Sequence, residues 1–224
     1  NGLVIIWSFG LPFLPNYASA ARQGIAPMPI ERPSINISIY TKGKLDFYLL
    51  QEYEQVDCES TPHRWRFGQT TIRFDQNNSI GHLLINLNCP VPNSENRLLG
   101  TIDFSGPLRS GTLGKPDPTH QWTPIIVAAK GTAELSCGNN KYHISGRGYH
   151  DRNAGTHPLH DLDIDIWWWG RLAFPDYEII FYTLYSKSAP DPLFLTLKID
   201  QNGQTEHLHN AHIELSQYKK SFYG

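Results

Sequence analysis

The chain has 224 residues and a formal net charge of −2, and 40% of its residues are hydrophobic and 12% aromatic. This apolar content is enough for a globular core, and the balanced charge without a basic run argues against a nucleic-acid partner. No apolar stretch reaches the roughly 18 residues of a membrane-spanning helix. Cys58, Cys89 and Cys137 lie far apart, a spacing that favours reduced thiols over a disulfide framework or a zinc site.

Alternation of apolar and polar residues dominates the chain and predicts β-strands. Residues 3–9 predict a strand and residues 17–22 a short helix. Further strands are predicted over residues 34–40, 44–52, 70–74, 80–87, 98–104, 125–137, 141–148, 165–173, 177–185, 193–200 and 211–215, the first two joined by a turn at Lys42-Gly43. Many short strands with turn residues between them are typical of an all-β protein built as an antiparallel barrel or sandwich.

Residues 146–171 hold a dense cluster of polar and aromatic side chains. Gly146 and Gly148 lack the third glycine and the helix of a dinucleotide-binding fingerprint, so that interpretation is rejected. No G-x-S-x-G motif marks a hydrolase nucleophile. Imidazoles and carboxylates that suit zinc or iron lie here without a defined ligand spacing, so we expect no metal site. These side chains are His150, His157, His160, Asp161, Asp163 and Asp165.

Several sequence motifs are spread along most of the chain. Residues 148–159 read Gly-Tyr-His-Asp-Arg-Asn-x-Gly-x-x-Pro-Leu, and residues 167–171 read Trp-x-Trp-Gly-Arg. Supporting motifs are Trp7-Ser8-Phe9 through Pro15-Asn16-Tyr17, the strand at residues 34–40, and His120-Gln121-Trp122-x-Pro124. Together they resemble the carotenoid 1,2-hydratase (hydroxyneurosporene synthase) family, whose lipocalin-like superfamily also contains Diels–Alderase-type pericyclases.

The resemblance implies an all-β, lipocalin-like fold with two subdomains in tandem. For this chain we expect one β-domain over residues 1–150 and the start of a second over residues 151–224, where a long polar break begins. Family members are usually longer, so more sequence is expected at both ends. They hydrate the terminal double bond of linear carotenes without a cofactor.

The resemblance also implies that Asp151 is the proton donor, with Tyr149 and Trp122 as its partners. The expected ligand is an apolar isoprenoid or polyene. Five further side chains are expected to bind it: Trp167, Trp169, His120, Asn153 and Trp7. We expect a cytoplasmic protein. Because such a ligand is insoluble in water, we also expect transient contact with a membrane surface.

A buried carboxyl group suits alkene hydration, because burial raises its pKa and keeps it protonated. Aromatic faces stabilise the resulting carbocation by about 2 kcal/mol or more per desolvated ring. The same pocket would serve a terpenoid or polyene cyclase or a pericyclase if water were excluded. A protein that binds the ligand in this pocket without catalysing a reaction would be an apolar-ligand carrier.

Each of these residues also has a purely structural interpretation. Asp151 and Asn153 would make turn hydrogen bonds, and Tyr149 would be a core tyrosine with a satisfied hydroxyl. Strand alternation sends Trp167 and Trp169 to one face and Trp168 to the other, and at least one of these faces would be plain core or an interdomain contact. Arg171 is expected to pair with one of the carboxylates of Asp161, Asp163 and Asp165.

Overall fold

The computed structural model describes residues 1–10, 15–25, 28–111, 119–157, 161–188 and 193–208. Three antiparallel sheets account for most of these residues. The first sheet has the order β1 (Gly2–Phe9), β2 (Pro33–Thr41), β3 (Lys44–Glu52). One α-helix, Pro15–Arg22, and two 3-10 turns, Pro29–Glu31 and Gln55–Asp57, lie beside it in the chain.

The second sheet has seven strands, and the third has four. The second contains β4 (Cys58–Ser60), β5 (Arg64–Phe67), β6 (Thr70–Asn77), β7 (Ile80–Pro90), β8 (Arg97–Pro107), β9 (Gln121–Cys137) and β10 (Asn140–Ala154), each paired with its neighbour in the chain. The third contains β11 (Ile164–Ala173), β12 (Tyr177–Ser186), β13 (Leu193–Asp200) and β14 (Thr205–His207), again in chain order. This up-and-down order requires only hairpin connections, which suits the turn residues in the gaps.

The main core lies between the first two sheets. Ile35, Ile37 and Ile39 of β2 are fully buried and pack with apolar residues of the seven-stranded sheet, such as Phe67 and Ile72. The three isoleucines share one face, as a period of two predicts. The expected half-buried strand was wrong, however, because Ser34, Asn36 and Ser38 on the other face are buried as well.

A second, smaller core joins strand β9 to the third sheet. Its buried members are Trp122, Val127, Ile180, Tyr182, Leu197 and Ile199, and Tyr149, Leu184 and Leu195 pack against it. Strand β9 also contributes Ile126 and Ala129 to the main core. The paired strands β9 and β10 thus have apolar neighbours on both faces.

The all-β, antiparallel prediction is confirmed, and within the described residues the three sheets stay open rather than closing into a barrel. The predicted strand at residues 211–215 lies outside the described residues. The division near residue 150 stays a prediction; strand β10 runs through this position.

All three cysteines are free thiols. In the part of the chain that is described, none of the helices has the length and apolar character needed to cross a membrane.

Candidate functional site

The pairing of β9 with β10 is irregular where the motif residues lie. Gly148 pairs with Ala129, His150 with Ile126 and Asp151 with Pro124, so β9 has one extra residue at each of two consecutive shifts. Ala128, in the first shift, has a φ of 46°. Such bulges bend a strand and re-aim its side chains.

Gly148 of the motif has a packing role at this bend. A Cβ atom there would lie 1.8 Å from Cε2 of Phe104, which packs against the main core. Any side chain at this position would displace the Phe104 ring, so the motif's glycine is explained by close packing.

The three residues predicted to perform the chemistry meet at one carboxylate oxygen. Trp122 Nε1 donates a hydrogen bond to Asp151 Oδ2 at 2.7 Å, and the Tyr149 hydroxyl donates to the same oxygen at 3.3 Å. Trp122 is buried, whereas Asp151 and Tyr149 are half-buried. The structure therefore brings together side chains that lie 29 residues apart in the sequence. Their catalytic role stays a prediction.

The surroundings of Asp151 favour its protonated form. Burial raises the pKa of this carboxyl above its usual value, and the hydrogen bonds from Trp122 and Tyr149 lower it by a smaller amount. Burial and the neighbouring Asp151 carboxylate also raise the pKa of Tyr149. Tyr149 therefore stays a neutral hydrogen-bond donor, and Asp151 can hold a proton at higher pH than an exposed aspartate.

Asp151, Trp122 and Tyr149 form what we call the Asp151 group. Two predicted binding residues, His120 and Asn153, connect to it through Tyr182 of β12. The Tyr182 hydroxyl contacts His120 Nε2 and donates to Asn153 Oδ1 at 3.3 Å. The Tyr182 ring stacks on the Trp122 indole, with centroids 4.9 Å apart and planes at 15°. Sequence reasoning missed Tyr182, because apolar and aromatic residues occupy both faces of β12 and no alternation singles this tyrosine out.

Trp167 and Trp169 of β11 lie on the same side as the Asp151 group. The Trp167 ring is 5.6 Å from that of Tyr182, and the Trp169 ring is 5.8 Å from that of Tyr149. Their exposed fractions are 48% and 44%, so these rings line an apolar surface that is open to solvent. The role of the two rings in substrate binding stays a prediction.

Trp7 lies on the other side of β10. Its ring stacks on His150, with centroids 5.2 Å apart and planes at 17°, and contacts Trp65 at 5.8 Å in the main core. Adjacent residues of a strand face opposite sides, so His150 points away from Tyr149 and Asp151. The structure thus does not bring Trp7 to the Asp151 group, and its role in substrate binding stays a prediction.

His150 is expected to make stability depend on pH. Burial lowers its pKa to about 4, whereas an unfolded chain has a histidine pKa of about 6.5. As pH falls from about 6.5 to 4, the unfolded chain binds a proton that the folded one does not, which lowers the free energy of unfolding by up to about 3 kcal/mol. His150→Phe keeps an aromatic ring on Trp7 and should remove this dependence in urea unfolding.

The control is His143→Phe, which changes an exposed histidine of the same strand. It should leave the slope of stability against pH unchanged. Parallel pH curves for His150→Phe and the wild-type chain would contradict a buried, neutral His150.

Arg171 corrects an expectation from the sequence. Its guanidinium makes two hydrogen bonds to Glu178, from Nε to Oε2 at 3.0 Å and from Nη2 to Oε1 at 2.5 Å. The predicted pairing with Asp161, Asp163 or Asp165 was wrong. Arg171 lies opposite Ile180 and Glu178 opposite Ala173, so the two are diagonal neighbours on one face of the β11–β12 pair.

Among the described residues, no group of three or more His, Cys, Asp or Glu side chains is arranged to hold a metal ion. His160, one of the candidate ligands, lies outside the described residues. Two surface cavities of about 300 and 390 Å³ lie elsewhere. The first is next to the start of β10 and the second next to Arg147, and Asp151 lines neither.

Comparisons with known proteins agree on one family. The family model described as carotenoid hydratase CrtC matches residues 5–223. The acyclic carotenoid 1,2-hydratase of Thiocapsa roseopersicina is 28% identical over 210 residues, which are 92% of this chain and 49% of that protein. The hydroxyneurosporene dehydrogenase of Chlorobaculum tepidum is 25% identical over 257 residues, covering 99% of this chain and 63% of that protein. The chain therefore spans about half to under two thirds of these relatives. No solved structure matches it significantly.

Proposed function

Because the chain belongs to the carotenoid hydratase CrtC family, we propose that it adds water to a terminal carbon–carbon double bond of an acyclic carotenoid or a related isoprenoid. One observation supports this more than any other. The Asp151 carboxyl is half-buried beside aromatic rings, with its pKa raised by burial, and two neutral donors hold it in place. A general acid that works near neutral pH needs such surroundings.

The proposed reaction starts with proton transfer from Asp151 to the CH carbon of the terminal double bond. The π electrons form the new C–H bond and leave a tertiary cation on the dimethyl-substituted carbon. Water adds to that carbon through its oxygen, and the oxonium returns a proton to the Asp151 carboxylate. The net change is the addition of one water molecule, and the acid is regenerated.

The side chains around Asp151 have separate tasks in this proposal. The Trp122 and Tyr149 donors fix one carboxyl oxygen, Oδ2, which leaves the other oxygen to carry the transferred proton. The half-exposed faces of Trp167 and Trp169 are available to the polyene and to the cation. Aromatic faces stabilise a cation without trapping it as a nucleophile would.

The proposed substrate also implies contact with a membrane. An acyclic carotenoid dissolves in membranes rather than in water, so the protein is proposed to contact a membrane surface transiently. The solvent-exposed rings of Trp167 and Trp169 support this, because Trp is enriched where proteins meet the membrane interface.

The experiment that tests the function is product analysis in heavy water. The full chain is incubated with a linear carotene in mixed micelles in D2O, and the products are separated and analysed by mass spectrometry. The expected product contains one added water, with one deuterium bound to carbon that survives transfer to H2O. In H2-18O the label should lie on the tertiary carbon.

The control substrate is a carotene whose ends are both cyclised, since it lacks the reacting double bond and should stay unchanged. An isomer of unaltered composition from the linear carotene would overturn hydration in favour of a cyclase or pericyclase. Binding without conversion would overturn it in favour of an apolar-ligand carrier.

A further inference from the structure

The side chain of Tyr182 contacts both strands that carry the proposed acid and its donor, although it belongs to neither strand. The residue is 2% exposed, and its ring stacks on that of Trp122, with centroids 4.9 Å apart. Its hydroxyl contacts His120 Nε2 and donates to Asn153 Oδ1 at 3.3 Å. A hydroxyl has one proton, so with that proton on Asn153 it accepts the hydrogen bond from His120.

The two hydroxyl partners flank the Trp122–Asp151 hydrogen bond. His120 precedes Trp122 by two residues, and Asn153 follows Asp151 by two residues and is the register partner of Trp122. Asn153 therefore shares a face of β10 with Asp151, and His120 lies one residue before the start of β9. A phenol held by His120 and Asn153 therefore fixes the ends of β9 and β10 at the spacing where the Trp122 Nε1–H reaches Asp151 Oδ2.

The ring of Tyr182 restrains the indole directly. Stacked rings at a small interplanar angle resist rotation of either ring about its side-chain torsions. Tyr182 is itself held between its register partners Trp169 and Leu195 in the middle of the third sheet. The indole thus rests on a rigid support rather than on a loop.

We propose that Tyr182 is a positioning residue: it holds the Trp122 indole so that its Nε1–H stays on Asp151 Oδ2. In the proposed reaction it contacts neither water nor the reacting carbons. Its meaning for catalysis rests on the proposed hydratase function, whereas its effect on the hydrogen bond does not.

Removal of the Tyr182 ring is expected to change the pKa of Asp151 in one direction. The Trp122 hydrogen bond stabilises the ionised carboxyl and so lowers the pKa of Asp151 against the effect of burial. Freeing the indole should raise that pKa further. Tyr149 donates to the same oxygen of Asp151, and the Asp151 carboxylate is close enough to Tyr182 to raise the pKa of that hydroxyl. Arg171, which is paired with Glu178, works against the rise in the pKa of Tyr149, and Arg109 also lies near that tyrosine.

The first experiment uses NMR on the full chain without substrate. Tyr182→Leu removes the ring and the hydroxyl, Tyr182→Phe removes only the hydroxyl, and Trp122→Phe assigns the indole signal. We expect Tyr182→Leu to speed exchange of the Trp122 indole proton at least tenfold and to raise the titration midpoint of the 13C-labelled Asp151 carboxyl by half a pH unit or more. Tyr182→Phe should fall between this variant and the wild type.

The matched control is Tyr185→Leu, which changes a 41% exposed tyrosine of the same strand on the opposite face. It should leave both signals unchanged. The proposal is overturned if Tyr182→Leu matches Tyr185→Leu in indole exchange and in the Asp151 midpoint. If Tyr182→Leu does not fold, Tyr182→Phe takes its place, and no change in either signal relative to wild type overturns the proposal.

The second experiment measures hydration. Tyr182→Leu should lower kcat about tenfold, leave KM within twofold and move the alkaline limb of the rate profile to higher pH. In a Trp122→Phe background the same change should cost less than twofold, since the indole donor it acts through is gone. The proposal is overturned if Tyr182→Leu lowers kcat by the same factor in the Trp122→Phe background as in the wild-type chain. A chain without hydratase activity would contradict only the proposed function, because the NMR experiment tests the positioning role of Tyr182 without substrate.

Discussion

Asp151→Asn is expected to lower kcat for hydration about 100- to 10,000-fold, the usual contribution of a general acid. A carboxamide keeps the shape of the side chain and still accepts the Trp122 hydrogen bond through its oxygen, but it cannot protonate an alkene carbon. Substrate binding should change little, because the apolar surface of Trp167 and Trp169 is untouched. Steady-state rates and a titration of Trp fluorescence with the carotene measure the two effects.

The same variant should gain in stability at neutral and alkaline pH. Since burial raises the pKa of Asp151 in the fold, the folded chain keeps a proton that the unfolded chain has lost above about pH 4. The wild-type chain therefore loses stability as pH rises through the folded pKa, and Asp151→Asn does not. Urea unfolding at pH 5 and pH 8 compares the two chains.

Asp103→Asn is the control, since Asp103 is exposed and bonds to His82 on another face of the fold. It should keep full activity. Retention of more than a tenth of kcat in Asp151→Asn, with deuterium still entering on carbon, would exclude Asp151 as the acid.

Arg171→Met is expected to cost about 3–5 kcal/mol of unfolding free energy, because it leaves a buried carboxylate without its partner. Glu178 is 2% exposed in its side chain and Arg171 18%. A typical domain is stable by only about 5–15 kcal/mol, so this single change would remove a large part of the total. Equilibrium unfolding in urea measures the loss.

Two further variants separate the buried pair from an ordinary surface contact. Arg171→Met combined with Glu178→Leu should recover most of the stability, because apolar side chains of similar volume replace both charges. Arg73→Met breaks the exposed Arg73–Asp75 pair, whose side chains are 58% and 52% exposed, and should cost less than about 1 kcal/mol. A cost for Arg171→Met as small as that of Arg73→Met would contradict the buried pair.

The strands themselves were largely predictable, because alternation and turn residues are local signals. The hairpin between β2 and β3 turns where expected, with positive φ values at Lys42 and Gly43. The ends of β9 and β10 were not predictable to the same degree. Strand β9 was expected over residues 125–137 and β10 over 141–148, yet they run from Gln121 and to Ala154.

The missed ends are the parts that carry Trp122 and Asp151. Pro124 cannot donate a hydrogen bond to a neighbouring strand, and Asn153 and Gly155 are typical of turns, so this stretch resembles a loop. The structure accommodates Pro124 at a register shift opposite Asp151. The motif therefore predicted which residues meet, whereas local propensity argued against the strand that presents them.

Contacts between sheets were beyond the reach of alternation. Tyr182 and Trp7 belong to different sheets from Asp151, and nothing in their own strands says which face of β10 they will contact. A period of two fixes which residues share a face but leaves the partner of that face undefined. The pairing of Arg171 with Glu178 has a different origin, since it lies within one sheet and follows from the β11–β12 register.

Strand β10 imposes a parity rule on its own segment. His150 and Asp151 are adjacent yet occupy opposite environments, an imidazole on Trp7 and a carboxyl under Trp122. Insertion or deletion of one residue between Gly148 and His150 would exchange them, placing a carboxylate in the main core and an imidazole on the indole. No substitution elsewhere would undo that exchange. Length changes compatible with this site must come in pairs or be absorbed by another bulge, so the spacing of Gly148, His150 and Asp151 is constrained as well as their identity.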